Sequence, residues 1–167
     1  MLLLGEILRR HAAYRGKKLA YVIGEARVSY AEMNERANRL AHVLAGRGVG
    51  AGDRVAILAR NMPLYPEAYF AAAKLGAILV PLNTRHREAE VEYALNQSEA
   101  KVLLFSSEHE ALVDGLRRSL LSVESYLAME GTSGGFAASL PEALPAAPAS
   151  EPRAAVHEND PHVMLYT

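Results

Sequence analysis

Apolar residues recur along this chain in two rhythms. Short uninterrupted runs, such as Val55-Ala56-Ile57-Leu58-Ala59, Ala77-Ile78-Leu79-Val80 and Val102-Leu103-Leu104-Phe105, read as strands buried on both faces. Between them, apolar positions return every three or four residues, the period of an amphipathic helix. Residues 3–14 carry Leu4, Ile7, Leu8 and Tyr14 at such spacing. Leu19-Ala20-Tyr21-Val22-Ile23, the turn Gly24-Glu25-Ala26-Arg27 and Val28-Ser29-Tyr30 read as a β-hairpin. Ser29 and Glu32 then form a capping-box pair, and Met33, Ala37, Leu40, Ala41 and Leu44 share one face of the helix behind it. Gly46 or Gly48 is expected to end that helix, because a left-handed terminus suits glycine.

The alternation continues. Pro66 is placed for the first position of an alanine-rich helix over 67–75, which Gly76 stops. A helix over 88–97 turns Val91, Ala94 and Leu95 inward, and one over 108–121 aligns Leu112, Val113, Leu116 and Leu120. A short strand is expected at 122–127. The whole predicts an α/β fold: a doubly wound, mostly parallel sheet with helices on both faces, preceded by the β-hairpin. Residues 131–155 differ, with glycines followed by four prolines among alanines. They read as a loose and mobile surface connection in which Phe136, Leu140 and Leu144 dock one turn of helix. Residues 163–167 read as a buried strand with no turn or polar tail after it, so further chain is expected beyond Thr167.

Composition narrows the class. The 167 residues suffice for one domain, and net charge −1 offers no basic surplus for nucleic acid. Cysteine is absent, which removes disulfides, thiolate metal sites and a thiol nucleophile together. No apolar run approaches the roughly 18 residues of a membrane span, and Glu6 interrupts the short apolar start, so a cytoplasmic protein is expected.

Candidate chemistry is sparse. Gly46-Arg47-Gly48-Val49-Gly50-Ala51-Gly52 follows a helix and precedes a strand, the reverse of a dinucleotide-binding loop, and reads as a connection. Gly131-Thr132-Ser133-Gly134-Gly135 has no strand running into it and no lysine behind it, and reads as a linker rather than a phosphate loop. The histidines do not pair at metal-ligand spacing on one helix face. His157 and His162 share a loop with Glu158 and Asp160, which reads as an ordinary polar loop, a weak metal site being the alternative. The run Glu88, Glu90, Glu92 reads as a solvated helix surface.

Three stretches together carry a family resemblance. Val28-Ser29-Tyr30-Ala31-Glu32-Met33, Lys74-Leu75-Gly76-Ala77-Ile78-Leu79-Val80-Pro81-Leu82-Asn83, and Asp160-Pro161 followed by Val163-Met164-Leu165-Tyr166-Thr167 resemble successive blocks of the adenylate-forming (AMP-binding) acyl-CoA synthetases. Gly52-Asp53-Arg54-Val55-Ala56 and the run 96–103 agree, and Pro81-Leu82-Asn83-Thr84-Arg85 suggests the fatty-acyl branch. His86 stands where that branch has an apolar residue, and Arg87 where a Ser or Thr would cap the next helix.

The resemblance implies that residues 1–167 are an incomplete N-terminal AMP-binding domain, part of the N-terminal subdomain of the adenylate-forming fold. It implies a two-step reaction. A carboxylic acid, expected to be a fatty acid, attacks the α-phosphate of ATP to give an acyl-adenylate and pyrophosphate. The CoA thiolate then displaces AMP. Mg²⁺ and a glycine-rich Ser-Gly-Thr-Thr-Gly loop, which follows Tyr-Thr in the family, stabilise the phosphate charge. Thr167 matches the first threonine of that loop and is the expected phosphate and Mg²⁺ ligand, with Tyr166 beside it in the nucleotide site. No catalytic residue is expected within 1–167, nor tight binding of ATP, Mg²⁺ or CoA. The chain alone is therefore expected to be inactive, with an apolar surface that supports self-association, as a homodimer or otherwise. The rival readings are a non-catalytic α/β binding module on the same scaffold, and an adenylating enzyme with a carrier-protein acceptor.

Overall fold

The computed structural model describes residues 3–131 and 134–166. In chain order it comprises α1 (Leu4–Arg15), the hairpin β1 (Leu19–Ile23) and β2 (Ala26–Ser29), α2 (Tyr30–Ala45), β3 (Arg54–Leu58) and α3 (Leu64–Leu75). Then come β4 (Ile78–Pro81), α4 (Glu88–Ser98), β5 (Val102–Phe105), α5 (Glu110–Leu116), β6 (Ser125–Ala128), β7 (Ala138–Ser139) and α6 (Leu140–Ala143). The strands β4-β3-β5-β6-β7 lie in that order in one parallel sheet, and β1 and β2 pair antiparallel beside it.

The uninterrupted apolar runs are explained by burial on both faces. Side chains of a strand alternate between faces. Val55, Ile57, Leu79, Leu104 and Leu127 enter a core with Leu40, Ala41 and Leu44 of α2 and Ala68, Ala71, Ala72 and Leu75 of α3. Ala56, Leu58, Val80, Leu103 and Phe105 enter a second core with Val91, Ala94 and Leu95 of α4 and Val113 and Leu116 of α5. A third, smaller cluster joins Leu8 of α1, Val28 of β2, and Met33 and Ala37 of α2, with Phe70 of α3 packed against it. Helix α3 therefore touches the sheet on one side and α1 and α2 on the other, which is why it is rich in alanine.

Local signals act where the sequence placed them. Ser29 Oγ accepts from the Glu32 N–H at 3.4 Å, and Glu32 Oε2 accepts from the Ser29 N–H at 2.8 Å. The backbone and hydroxyl of Ser29 together hold the Glu32 carboxyl below the usual range. Of the two glycines after α2, Gly46 is right-handed (φ −63°), and Gly48 (φ +77°) takes the left-handed position. Gly76 ends α3 at φ +68°, donating to the carbonyls of Ala72 and Ala73. Arg87, which offers no oxygen as a cap, is served in part by Glu90, whose carboxylate accepts from the Arg87 N–H at 2.8 Å.

Several boundaries differ from the sequence expectation. Helix α3 starts at Leu64, so Pro66 is its third residue rather than its first. Residues 108–121 are not one helix: a 3₁₀ turn at Ser107–His109 leads into α5, which stops at Leu116. The backbone beyond α5 is held by Asn96 of α4, whose amide donates to the Ser119 carbonyl and accepts from the Leu121 N–H, both at 2.9 Å, and Leu121 is 88% exposed. The strand expected at 122–127 runs from Ser125 to Ala128.

Residues 131–155 hold more structure than their composition announces. They contribute β7 and the single turn α6, and Phe136 stacks on Phe105 with ring centroids 5.8 Å apart while Arg117 lies 4.5 Å over its ring. The terminal stretch is half-buried rather than buried. It lies beside β4 through one parallel bridge, Leu79 to Val163, where the Leu79 N–H donates to the His162 carbonyl and the Met164 N–H to the Leu79 carbonyl, both at 2.9 Å.

At Gly76 a Cβ would meet Ala51 Cβ at 3.2 Å and Val156 Cγ2 at 3.4 Å, in a left-handed backbone. Gly76→Ala is expected to lower stability by about 1–2 kcal/mol, measured as a fall in the urea midpoint. Gly50→Ala, where a Cβ meets nothing within 4 Å, is expected to leave the midpoint unchanged.

Candidate functional site

Parallel strands end on one side, and in open α/β sheets that carboxyl edge is where ligands sit. Here the edge is formed by the loops that follow Leu58, Pro81, Phe105 and Ala128. The bridge between Leu79 and Val163 is parallel, so residues 164–166 run toward the same edge. Of the two residues singled out in the sequence as nucleotide ligands, only Tyr166 is among the described residues, where it is half-buried; Thr167 lies outside them.

Tyr166 leans on α4. Its hydroxyl bonds Gln97 Oε1 and lies 3.6 Å from Met164 Sδ, and its ring meets Tyr93 edge-on at 6.4 Å. Partial burial pushes its phenol pKa up. A shallow cleft of about 270 Å³ is lined by His86, Ala89, Glu90, Tyr93, Ala94 and Tyr166. His86 Nδ1 is buried there without a hydrogen-bond partner among the described residues.

The other polar groups of the edge bind one another. Arg60 Nε lies 3.3 Å from Glu108 Oε2, tying the loop after β3 to the loop after β5. Ser107 donates to Glu130 Oε2 from its N–H at 3.2 Å and its hydroxyl at 3.0 Å, tying the loop after β5 to the one after β6. Ser106 Oγ meets His109 Nδ1 at 3.0 Å. Among the described residues no group of three His, Asp or Glu side chains is placed to hold a metal. His157 and His162 line one pocket with Glu158 and Asp160 without forming a metal-holding group, and His162 packs its ring edge against Tyr69, where burial lowers its pKa. The Arg60–Glu108 and Ser107–Glu130 pairs brace the loops after β3, β5 and β6 against one another.

Sequence reasoning missed the buried charges of α3. Glu67 and Lys74 are seven residues apart in an otherwise apolar helix, hence on one face, and that contrast was the available signal. Glu67 is 2% exposed, accepts from the Tyr21 hydroxyl at 2.8 Å and lies 3.5 Å from Arg36 Nη1. Lys74 donates to Glu151 Oε2 at 2.5 Å and to Asn34 Oδ1 at 3.0 Å.

A parallel sheet of this order, with the segment after the Leu79–Val163 bridge running to its carboxyl edge, is an α/β scaffold, and comparison with known proteins gives its class. The profile described as "AMP-binding enzyme" matches residues 8–167, and the chain belongs to that family. It corresponds to the N-terminal portion of acyl-CoA ligases. The long-chain-fatty-acid–CoA ligase FadD13 of Mycobacterium tuberculosis is 35% identical over 166 residues, 98% of this chain and 32% of that protein. A long-chain-fatty-acid–CoA ligase of Thermus thermophilus is 41% identical over 131 residues, 76% of this chain and 24% of that protein. The chain thus spans about a third or less of these curated relatives. Among solved structures, the inhibitor-bound N-terminal domain of FACL13 from M. tuberculosis superposes with a TM-score of 0.91 at 34% identity, covering all of this chain and 41% of that one. An anthranilate CoA ligase in complex with anthranoyl-AMP superposes at 0.88 and 28% identity, over 95% of this chain and 30% of that one.

Burial of Glu67 raises its pKa against the opposing pull of the Tyr21 hydroxyl and Arg36. A carboxyl raised in the fold contributes stability that is complete below its unfolded value and lost as pH rises through the folded one. Glu67→Gln is therefore expected to be at least as stable as the parent at neutral pH. It is also expected to flatten the gain in stability as pH falls toward the ordinary value of 4.5, read from urea unfolding across that range.

Proposed function

We propose that these residues form the N-terminal part of an ATP-dependent carboxylic acid–CoA ligase acting on fatty acids in the cytoplasm. The observation that carries the reading is the match along essentially the whole chain to a long-chain-fatty-acid–CoA ligase, in sequence and in backbone. The order of the three motif blocks supports it, since the last of them enters the carboxyl edge of the sheet. The reaction is the two-step activation set out above, with ATP, Mg²⁺ and CoA as its partners.

At the edge, Ser107 is engaged with Glu130 and Arg60 with Glu108. This segment contributes position. The sheet and its two helical layers hold the strand that ends at Tyr166, and Thr167 follows as the first hydroxyl suited to phosphate and Mg²⁺. Exposed Leu165 and Tyr93 beside it are the apolar surface against which further chain would pack.

Pyrophosphate release is the test. Residues 1–167 with Mg²⁺, ATP and a panel of fatty acids are expected to give no signal above blank. A polypeptide continuing through the glycine-rich loop to the length of the relatives is expected to turn over. In it, Thr167→Val is expected to lower kcat by roughly 10²-fold. Saturable turnover by residues 1–167, or none by the longer polypeptide, contradicts the reading.

A further inference from the structure

Between α6 and the bridge at Val163 the chain has no strand or α-helix of its own, so its backbone carbonyls need donors from elsewhere. Helix α2 supplies them. Arg39 Nη1 donates to the carbonyls of Leu144, Pro145 and Ala147 at 3.4, 2.9 and 2.6 Å. Asn38 Nδ2 donates to the Ala149 carbonyl at 2.8 Å, and His42 Nε2 lies 3.0 Å from the Ser150 carbonyl. The path ends on Glu151. One of its carboxylate oxygens accepts from Asn34 at 2.7 Å and Asn38 at 3.3 Å, and the other accepts from Lys74 at 2.5 Å.

Lys74 is an unusual choice for that place. Its side chain is 3% exposed, and α1 lies directly on its stem, since a Cβ at Gly5 would come within 3.0 Å of Lys74 Cγ. Burial lowers its pKa, while Glu151 opposes the shift. An apolar side chain would fill the same volume between α1 and α2 without the desolvation cost of an ammonium. What the ammonium adds is direction: it fixes the segment at Glu151, beyond the points that Arg39, Asn38 and His42 hold. Two residues after Lys74, Gly76 meets Val156, and Leu79 exchanges hydrogen bonds with His162 and Met164. Lys74 and the bridge thus hold the same segment from one end of α3 and from the strand that follows it.

We propose that Lys74 and Glu151 are positioning residues: their buried ion pair, seated between Asn34 and Asn38, fixes the path from α6 to the terminal bridge and so sets where Tyr166 meets the carboxyl edge of the sheet. Its meaning for catalysis rests on the ligase reading; the clasp itself does not.

The test has two arms. In residues 1–167, amide hydrogen exchange is followed in Lys74→Met, Glu151→Gln and the double variant. Leu79 and Met164, which donate across the terminal bridge, are expected to exchange about tenfold faster or more, while Leu104 in β5 keeps its rate. The double variant is expected to match Lys74→Met, because the two groups act as one pair. Equal acceleration at all three amides would mean an ordinary contribution to stability, and no acceleration would mean no contact of consequence; either overturns the proposal. Glu151, being partly exposed, gives a variant that keeps the fold if Lys74→Met does not. In the longer polypeptide, Glu151→Gln is expected to lower kcat for pyrophosphate release with KM for the acid unchanged, and a rise in that KM with kcat unchanged overturns the proposal. If the unsubstituted longer polypeptide shows no turnover, the ligase reading fails while the exchange arm still decides the clasp.

Discussion

Strand β3 hydrogen-bonds to β4 on one side and β5 on the other, and Val55, Ala56, Ile57 and Leu58 are essentially without exposure on either face. Along these four residues neither face offers water to a polar side chain. The strand therefore requires a helical layer above and another below, which α2 with α3 and α4 with α5 provide. Because its partners are parallel, each needs a crossover, and all their carboxyl ends fall on one edge. The edge loops start on core residues such as Ala59, Leu82 and Met129, and beyond these they brace each other through Arg60–Glu108 and Ser107–Glu130. The place to which residues 164–166 are delivered follows from the same geometry.

Helix α3 bears the second constraint, since the sheet and two further helices contact it. Alanines meet most of that demand, and the two charges left inside it each tie down a part of the chain remote in sequence. Glu67 holds the hairpin through Tyr21, and Lys74 holds the approach to the terminal bridge through Glu151. Buried charges of this kind are poor sources of net stability but effective at specifying one arrangement, because an unpaired alternative leaves a charge stranded. In Lys74 the same residue opens the second family block and anchors the approach to the third.

The parts of the fold legible in the sequence are those fixed by neighbours a few positions away. The runs at 55–58 and 102–105, the face Met33 to Leu44, the Ser29–Glu32 cap and the stop at Gly76 are local statements, and each stands where periodicity and cap chemistry placed it. What escaped is fixed across the chain. The backbone after α5 is held by an amide more than 20 residues earlier, at Asn96. The order within 131–155 depends on Arg39 and on a ring stacked on Phe105, neither of which proline and glycine content can reveal. The candidate site was legible by resemblance rather than by chemistry. Tyr166 and Thr167 have no sequence pattern of their own, and only the order of the three blocks singles them out.

We propose that this scaffold delivers the start of a phosphate-binding loop to an edge where Arg60 is paired with Glu108 and Ser107 with Glu130. Calorimetric titration of Mg²⁺–ATP into residues 1–167, beside the same titration into a polypeptide continuing through the glycine-rich loop to the length of the relatives, tests it most directly. The account predicts no saturable heat from the first and saturable, Mg²⁺-dependent binding by the second. Saturable Mg²⁺-dependent binding by residues 1–167 alone would contradict it.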